Sequence, residues 1–489
     1  VEFVVGFMVF PFEAVLARFG GDVSRISASG RNCIALLCAI LICESGIMDS
    51  QREHIHICGV AGVGMSALAQ TLVFSGYTVS GSDRFFDRNR DLPVFNRLRA
   101  MGIEIVPQDG TGITRDTGSV VFSTAIEADN PDILKARVLQ KPLKHRALML
   151  AELVSGKTCV AIAGTCGKTT TTGMAGIILE EAGLDPFIVN GGAVLNWRSE
   201  SAVGNVRAGA GGLWVVEVDE SDRSLLNFYP DTALITNMSS DHFNQEETEA
   251  LFEKFAAQVK RRVVGCFGRP SRAEIFKDFT PCLASGKIEF NYHGVRFCVP
   301  QIGRHNAENA LMAVILCEEL GVNPETASSA LRRFKGVERR LEFVGSADGI
   351  DVIDDYAHNP AKIAAAWKAL SGHYKRILGV WRPHGYGPLR AMFNELVSAF
   401  SGVARPDDSI CLLPVFDAGG TAERSIQSDS LVAALRENNV SAVYTADYEE
   451  LSGILKKIAA PGDVIVTMGA RDPELPVFAG KILKELCCR

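Results

Sequence analysis

The stretch richest in chemistry is Gly164-Thr165-Cys166-Gly167-Lys168-Thr169-Thr170. An apolar run before it, Cys159 to Ala163, reads as a buried strand, and Thr169 to Glu181 after it reads as a helix with its apolar residues on one face. A strand that feeds a glycine-bracketed turn into a helix N-terminus makes an anion cradle, because backbone N–H groups and the positive end of the helix dipole face one point. Lys168 adds a mobile charge for the β- and γ-phosphates of a nucleotide, and the Thr169 hydroxyl is placed to ligate Mg2+. The match to the general P-loop is incomplete: Ile162 stands where that pattern has its first glycine, and the upstream glycine is Gly164. Acidic groups and an imidazole follow at later strand ends. Glu217 closes the strand from Leu213, Asp219-Glu220-Ser221-Asp222 is a dense acidic turn, and Asp241-His242 lies beyond the strand Ala233 to Asn237. Beside a phosphate cradle such groups suit Mg2+ ligation or the positioning of water. Asn306 and Asn309, one turn apart in a helix from Gly303 to Leu320, suit reading of a purine edge, although an Asn near a helix start is also a common cap.

A second candidate site lies upstream. His54 to Val60 is a strand, Gly59-Val-Ala61-Gly62-Val-Gly64-Met65-Ser66 a turn, Met65 to Phe74 a helix, and Thr78 to Ser82 a strand ending in Asp83. This is the layout of a nucleotide-binding βαβ unit with an acidic residue near the ribose end. Ala61 replaces the middle glycine of G-x-G-x-x-G, so a tight packing turn is an equal reading. A later strand, Val120 to Thr124, carries Ser123 and Thr124 at its end, and Ala128-Asp-Asn-Pro131 opens another helix. After the cradle helix, Pro186 to Val189 is a short strand ending in Asn190-Gly191-Gly192.

These groups need a large frame. A chain of 489 residues makes about three domains at ~150 residues each. It is 47% hydrophobic and 22% charged, as expected of a globular protein with real cores. Its net charge of −7 and lack of a long basic run disfavour nucleic-acid binding. The 13 cysteines are an odd number without a C-x-x-C, and Cys38, Cys159, Cys298, Cys317 and Cys411 sit in apolar runs as small core residues. That usage points to a reducing cytosol. Residues 1–47 are atypical: the apolar runs Phe3 to Phe12 and Ile34 to Cys43 are too short to cross a bilayer, and the first has no basic n-region. The expectation is a misassigned upstream start, with the working protein beginning near Met48; a membrane-surface anchor is the rival reading. Beyond a linker from Lys335 to Gly345 comes a third α/β unit, with strands Asp351 to Asp355, Arg376 to Trp381, Ser409 to Pro414, Ala442 to Thr445 and Asp463 to Met468. Strands alternating with helices imply a mostly parallel, doubly wound sheet. Its polar groups, Asp355-Tyr356-Ala357-His358, Arg382-Pro383-His384 and Gly469 to Asp472, fall at strand C-terminal ends, where such sheets bind ligands.

Taken in order, these motifs resemble the Mur ligases of peptidoglycan synthesis. The residues that carry the resemblance are Gly59-x-x-Gly62-x-Gly64-Met65-Ser66, Gly81-Ser82-Asp83, Ala125-Ile-x-x-Asp129-Asn130-Pro131, the cradle, Glu217-x-Asp219-Glu220-Ser221-Asp222, Asp241-His242, Gly303-Arg304-His305-Asn306-x-x-Asn309-Ala310, Arg339-Arg340 and Asp354-Asp355-Tyr356-Ala357-His358. They run from about His54 to the C-terminus and look most like the branch that adds L-alanine to UDP-N-acetylmuramate. The resemblance implies an α/β protein of three successive domains: a Rossmann-like UDP-sugar domain over 48–156, a central P-loop ATP domain over 157–336 and a doubly wound C-terminal domain over 337–489. It implies ATP and Mg2+ as cofactors, a nucleotide sugar and an amino acid as partners, a cytoplasmic monomer or homodimer, and no membrane or nucleic-acid partner. By the same resemblance a substrate carboxylate takes the γ-phosphate, and an amine then displaces phosphate from the acyl carbon.

The resemblance also assigns residues. Gly164, Thr165, Cys166, Gly167, Lys168, Thr169 and Thr170 would hold the ATP phosphates, Asn306 and Asn309 the adenine, and Asp355 the ribose. Thr169, Glu217 and His242 would ligate Mg2+, and Lys168, Glu217, His242, Arg340 and His358 would surround the reaction. Gly59, Gly62, Gly64, Met65, Ser66, Asp83, Ser123 and Thr124 would take the UDP-sugar, and Tyr356, His384 and Arg390 the amino acid. The chain departs from the pattern at Gly385 and Pro388, where the alanine-adding branch commonly has arginines near the amino acid's carboxylate. Asn359 and Cys166 stand where histidines are usual, and the span from His242 to Gly303 is short. A paralogous ligase that uses another amino acid or a preformed peptide is therefore the alternative. A non-catalytic nucleotide-binding protein would lack one of Lys168, Thr169, Glu217 or His242, and all are present.

Overall fold

The structure is a computed structural model that describes residues 2–5, 8–11, 53–88, 90, 92–238, 244–284, 286–417 and 423–487. The chain divides into two units, Val1–Arg52 and Glu53–Arg489. In the first, Glu2–Val5 and Met8–Pro11 pair as antiparallel strands. The other expectations for this region, Met48 included, lie outside the described residues.

The second unit contains three six- or five-stranded sheets in succession. The first is built from β1 (His54–Cys58), β2 (Thr78–Ser82), β3 (Glu104–Val106), β4 (Thr117–Phe122) and β5 (Leu143–His145), in the order β3-β2-β1-β4-β5 and all parallel. Helix α1 (Val63–Phe74) follows β1, α2 (Pro131–Val138) follows β4, and α3 (Arg146–Val154) follows β5. Asn130 caps α2 through its side chain, with Pro131 at the first helical position, so the Asn-Pro pair is a helix start for a local reason.

The second sheet holds β6 (Thr158–Ala163), β7 (Phe187–Val189), β8 (Val206–Arg207), β9 (Leu213–Glu217), β10 (Thr232–Ile235) and β11 (Arg262–Gly265) in the order β8-β7-β9-β6-β10-β11. Only the β8–β7 pair is antiparallel. Strand β6 lies inside and is covered on both faces, which is why it reads as an unbroken apolar run. Cys159, Ala161 and Ala163 enter one core, and Val160 and Ile162 enter the other with α4 (Lys168–Glu181) and α5 (Arg304–Glu319). The first of these cores continues from Ile55 and Leu68 to Phe187 and Trp214, so the first two sheets share apolar packing. The rings of Phe187 and Trp214 stack 4.0 Å apart, and Phe74 at the end of α1 meets Phe187 edge-on. An antiparallel meander, Cys282–Ala284, Lys287–Tyr292 and Val295–Val299, adds the apolar side chains Ile288, Phe290, Phe297 and Val299 to the second core.

The third sheet comprises β12 (Glu342–Ala347), β13 (Ile350–Asp355), β14 (Arg376–Trp381), β15 (Ser409–Leu412), β16 (Ala442–Tyr444) and β17 (Asp463–Met468) in the order β12-β13-β17-β14-β15-β16. It is parallel except for β12, and separate cores cover its two faces. The expected linker from Lys335 to Gly345 is corrected here: from Glu342 the chain is already the edge strand β12. Its register shift between Phe343 and Gly345 breaks the alternation that marks a strand.

Helix α4 carries glycine where it crosses its neighbours. A Cβ on Gly176 would lie 2.6 Å from Trp197 and also meet Ile188, which is fully buried. Gly176→Val should therefore cost the middle sheet and its helices about 1–3 kcal/mol by overpacking. The check is a lower temperature for that region's thermal unfolding transition.

Candidate active site

The cradle between β6 and α4 is shaped by two glycines and one asparagine. Gly164 has φ +129, and a Cβ there would collide with the Thr236 hydroxyl; Gly167 has φ +83, and a Cβ there would collide with the Asn309 amide. Both positions therefore require glycine. Asn237, just past β10, threads the loop: its Oδ1 accepts from Thr165 Oγ1 (2.6 Å) and Cys166 N (3.0 Å), and its Nδ2 donates to Cys166 O (2.8 Å). Thr236 Oγ1 also donates to Cys166 O (2.7 Å). Cys166 thus contributes to the loop through its backbone, which accounts for a side chain other than His at this position.

The cationic and acidic groups meet at the helix start. Lys168 Nζ donates to Gly164 O (2.7 Å) and to Glu220 Oε2 (2.6 Å). Burial opposes the lysine's charge, but Glu220, Asp219 and Glu217 together hold it protonated. Thr169 Oγ1 donates to Glu217 Oε1 (3.0 Å), while Glu217 Oε2 accepts from Gly191 N (2.7 Å). A hydroxyl and a carboxylate this close form a hard-oxygen donor set of the kind Mg2+ takes.

The third sheet supplies the opposite wall. Arg339 and Leu341 both have left-handed backbones, φ +58 and +47, so the chain turns sharply on either side of Arg340. Asp354 and Asp355 at the end of β13 hold that turn. Asp354 accepts from Arg339 Nε (2.9 Å); Asp355 accepts from Leu341 N (2.7 Å) and Ala357 N (2.8 Å). Burial lifts the Asp355 carboxyl to about 6, against the pull of Arg340 and the two amides. Arg339 is also bound to Gly469 O and Ala470 O (3.3 Å), whereas the Arg340 guanidinium lies over the Tyr356 ring, 5.2 Å from its centre, with no side-chain hydrogen bond to any described residue. A cleft of 490 Å3 results, lined by the cradle, Glu217, Asp219, Glu220, Asn306 and Asn309 on one side and by Arg340, Asp355, Tyr356, His358 and Lys362 on the other. That volume is in the range of small-molecule sites.

A second cleft, of 340 Å3, opens between the first two sheets. Gly62, Gly64 and Met65 at the N-terminus of α1, Ser123 and Thr124 beyond β4, and Arg146 at the start of α3 line it. Arg146 crosses the glycine turn so closely that a Cβ on Gly64 would lie 2.7 Å from its Nη1. Glu217 and Asp219 line both clefts. Two anionic ligands, one on each helix N-terminus, would therefore meet across this pair of carboxylates.

Most of the residues expected from sequence are gathered in these two clefts, with exceptions. Gly59, Ser66 and Asp83 do not line the second cleft, and Gly164 and His384 do not line the first. Asp83 is buried and accepts from Ala61 N (3.0 Å) and Phe85 N (2.9 Å), which fixes the turn. Ser66 donates to Val63 O (3.0 Å) and accepts from Asn205 Nδ2 (3.1 Å). Arg390, expected at the amino acid, is exposed and tied to Glu423 (2.8 Å) and Ser425. Asp241 and His242 lie outside the described residues. Sequence reasoning passed over Asn237, which has no motif around it, and Arg146, which follows a short strand. It named Glu220 only as part of an acidic run.

The rings of His358 and His384 meet edge-on, 5.0 Å apart. Burial, with Lys362 next, depresses His358 to about 3; burial, with Arg471 next, depresses His384 to about 4. Each binds fewer protons folded than unfolded between these values and about 6.5. Stability therefore rises with pH through that window and is lost as pH falls from about 6.5. Imidazole NMR signals of both should stay at neutral-ring positions from pH 8 to about 5; a titration near 6.5 would contradict the burial argument.

Three family models match the chain in order: Mur ligase family, catalytic domain, over residues 54–158; Mur ligase middle domain over 162–261; and Mur ligase, glutamate ligase domain, over 339–471. The chain is 35% identical over 454 residues to a UDP-N-acetylmuramate–L-alanine ligase of Bradyrhizobium diazoefficiens, covering 85% of this chain and 94% of that protein. Its fold is similar to that of a UDP-N-acetylmuramate–alanine ligase from Thermotoga maritima, with a TM-score of 0.72, 24% identity and coverage of 88% of this chain and 98% of that one. A murein peptide ligase from Psychrobacter arcticus is also similar, with a TM-score of 0.62, 21% identity and coverage of 89% and 99%. The chain, an α/β protein with these domains in this order, belongs to the Mur ligase family.

Proposed function

We propose that the chain joins L-alanine to the carboxylate of UDP-N-acetylmuramate at the expense of ATP, in peptidoglycan synthesis. The observation that carries this reading is the shared wall: Glu217 and Asp219 line both the cradle's cleft and the cleft above α1. ATP would occupy the first, with its phosphates on the cradle and Lys168, its adenine beside Asn306 and Asn309, and its ribose toward Asp355. The UDP-sugar would occupy the second, with its diphosphate at the Gly62–Met65 turn beside Arg146. Its carboxylate oxygen then attacks the γ-phosphorus in line, the bond to the β-phosphate oxygen breaks, and ADP leaves. The alanine nitrogen attacks the resulting acyl carbon and loses a proton, the bond from that carbon to the phosphorylated oxygen breaks, and inorganic phosphate departs carrying that oxygen.

Charge neutralisation and alignment do most of this work. ATP must displace Glu220 from Lys168, and a buried ion pair is released only to a partner that leaves neither charge stranded. The Arg340 guanidinium, which lies over the Tyr356 ring without a side-chain hydrogen bond to any described residue, can meet phosphate oxygens from the opposite wall. Mg2+, held by Thr169 and Glu217 together with His242, would neutralise charge on the transferred phosphoryl group. His358 is too weak a base to store the amine's proton at neutral pH, since an effective general base titrates near the working pH. Its contribution is to orient the amine as a neutral acceptor. No helix among the described residues is long and apolar enough to cross a membrane.

The test is ADP release with ATP, Mg2+ and UDP-N-acetylmuramate across a panel of amino acids and short peptides, with product masses. L-alanine should be the best amine. A clear preference for another amine, or for a peptide as in the alternative reading, would overturn the alanine assignment while leaving the ligase chemistry. Lys168→Ala should reduce ADP release by at least about 100-fold while leaving UDP-sugar affinity nearly unchanged, because the two ligands use different clefts. Loss of both would contradict the two-cleft assignment.

A further inference from the structure

An amino acid that offers its amine at the acyl carbon brings a carboxylate with it, and that charge needs a cation a few ångströms beyond the amine. The cations near the third sheet's ligand-binding end are mostly committed. Arg339 is bound to Asp354, Arg382 to Asp472 and Tyr448, and Arg390 to Glu423. Arg340 and Lys362 line the nucleotide cleft. Arg471 remains: it is exposed and forms no hydrogen bond or ion pair with any described residue.

Its position fits the need. Strands β14 and β17 are parallel neighbours, with Trp381 opposite Met468, so the segments that leave them run side by side. One carries His384 and Gly385, the other Arg471. Gly385 has φ +153 and ψ 157, a conformation essentially confined to glycine, and so offers no side chain. A Cβ placed there would lie 4.0 Å from Arg471 Nη1, so the guanidinium flanks the space beside Gly385. His384 connects this point to the reaction: its Nδ1 is buried without a hydrogen-bond partner, and its ring meets that of His358, which lines the nucleotide cleft. His358, His384 and the space beside Gly385 thus lead in sequence from the cleft to Arg471.

We infer that Arg471 binds the carboxylate of the incoming amino acid, from a different strand end than the one that carries Gly385 and Pro388. The inference rests on the ligase reading above. It makes Arg471 a specificity-determining residue, selecting an amine that carries a carboxylate over one that does not. Two N–H groups of a guanidinium suit this bidentate contact, and an ammonium does not reproduce it.

The test compares wild type, Arg471→Ala and Arg471→Lys in the full chain, with KM and kcat measured for L-alanine, L-alaninamide, ATP and UDP-N-acetylmuramate. Arg471→Ala should raise KM for L-alanine about 10- to 100-fold, the range of a lost charge-assisted hydrogen bond. The preference for L-alanine over its amide should collapse, KM for ATP and the UDP-sugar should stay put, and Arg471→Lys should retain part of the preference. An unchanged KM and acid-over-amide preference overturn the inference. So does a parallel rise in all KM values, which is what a merely structural role gives. If the panel shows another amino acid to be the wild type's amine, the alanine assignment falls, and the same comparison with that acid and its amide still decides Arg471.

Discussion

Two polyanions must be brought into contact, and the rest of the molecule answers that repulsion. Unit charges 4 Å apart interact by about 4 kcal/mol at an effective dielectric of 20, so a triphosphate facing a carboxylate and a diphosphate is strongly opposed. Glu217 and Asp219 look like the wrong sign for this place, since they line both clefts. Their neighbours resolve it. Lys168 is held charged by the acidic groups around it, Arg146 approaches Asp219 within 4.0 Å, and Arg340 faces the cradle from the third sheet. Two helix N-termini, those of α1 and α4, add partial positive charge. Acidic groups in such a setting keep cations in place until anions arrive.

Arg340 illustrates how costly that arrangement is to hold. Non-glycine residues with left-handed backbones cost of order 1–3 kcal/mol each, and Arg340 stands between two of them. The buried Asp354-Asp355 pair offsets this with hydrogen bonds to Arg339, Leu341 and Ala357, and Tyr356 N donates to Arg339 O (2.7 Å). The carboxylates at the end of β13 therefore position the arginine, and Asp355 also lines the cleft. Asp355 can hold the turn and still accept a further donor from the cleft, because its two amide donors leave lone pairs free.

What could be read from the sequence follows from how local each signal is. The cradle, α4 and the parallel strands were legible because period, glycine spacing and strand length all sit within a short window. The meander at 282–299 was not read, although His293-Gly294 between alternating strands is a two-residue hairpin signal, with φ +48 and +77. Strand β12 was hidden by its bulge. At the site, Glu217, Lys168 and Arg340 were found through motif order. Asn237, Arg146 and the Lys168–Glu220 pair depend on residues far apart in sequence and close in space. Asp83 shows the opposite failure: an acidic residue at the end of a strand suggests a ribose contact, yet its oxygens serve two backbone amides.

The same distinction governs how substitutions in a site should be judged. A role performed by backbone groups survives a change of side chain, as at Cys166, whose N–H and carbonyl still meet Thr236 and Asn237. A role performed by a charge at a point in space survives only if another element can deliver that charge. Parallel neighbouring strands make such a transfer feasible, because their C-terminal ends open onto the same crevice. Gly385 on one such end cannot carry a side chain in its present conformation, while Arg471 on the next is unpaired and close by. The absence of arginine from a motif is therefore weak evidence against binding of a carboxylate; the stronger evidence is whether an unpaired guanidinium stands within reach of the place where that carboxylate must lie.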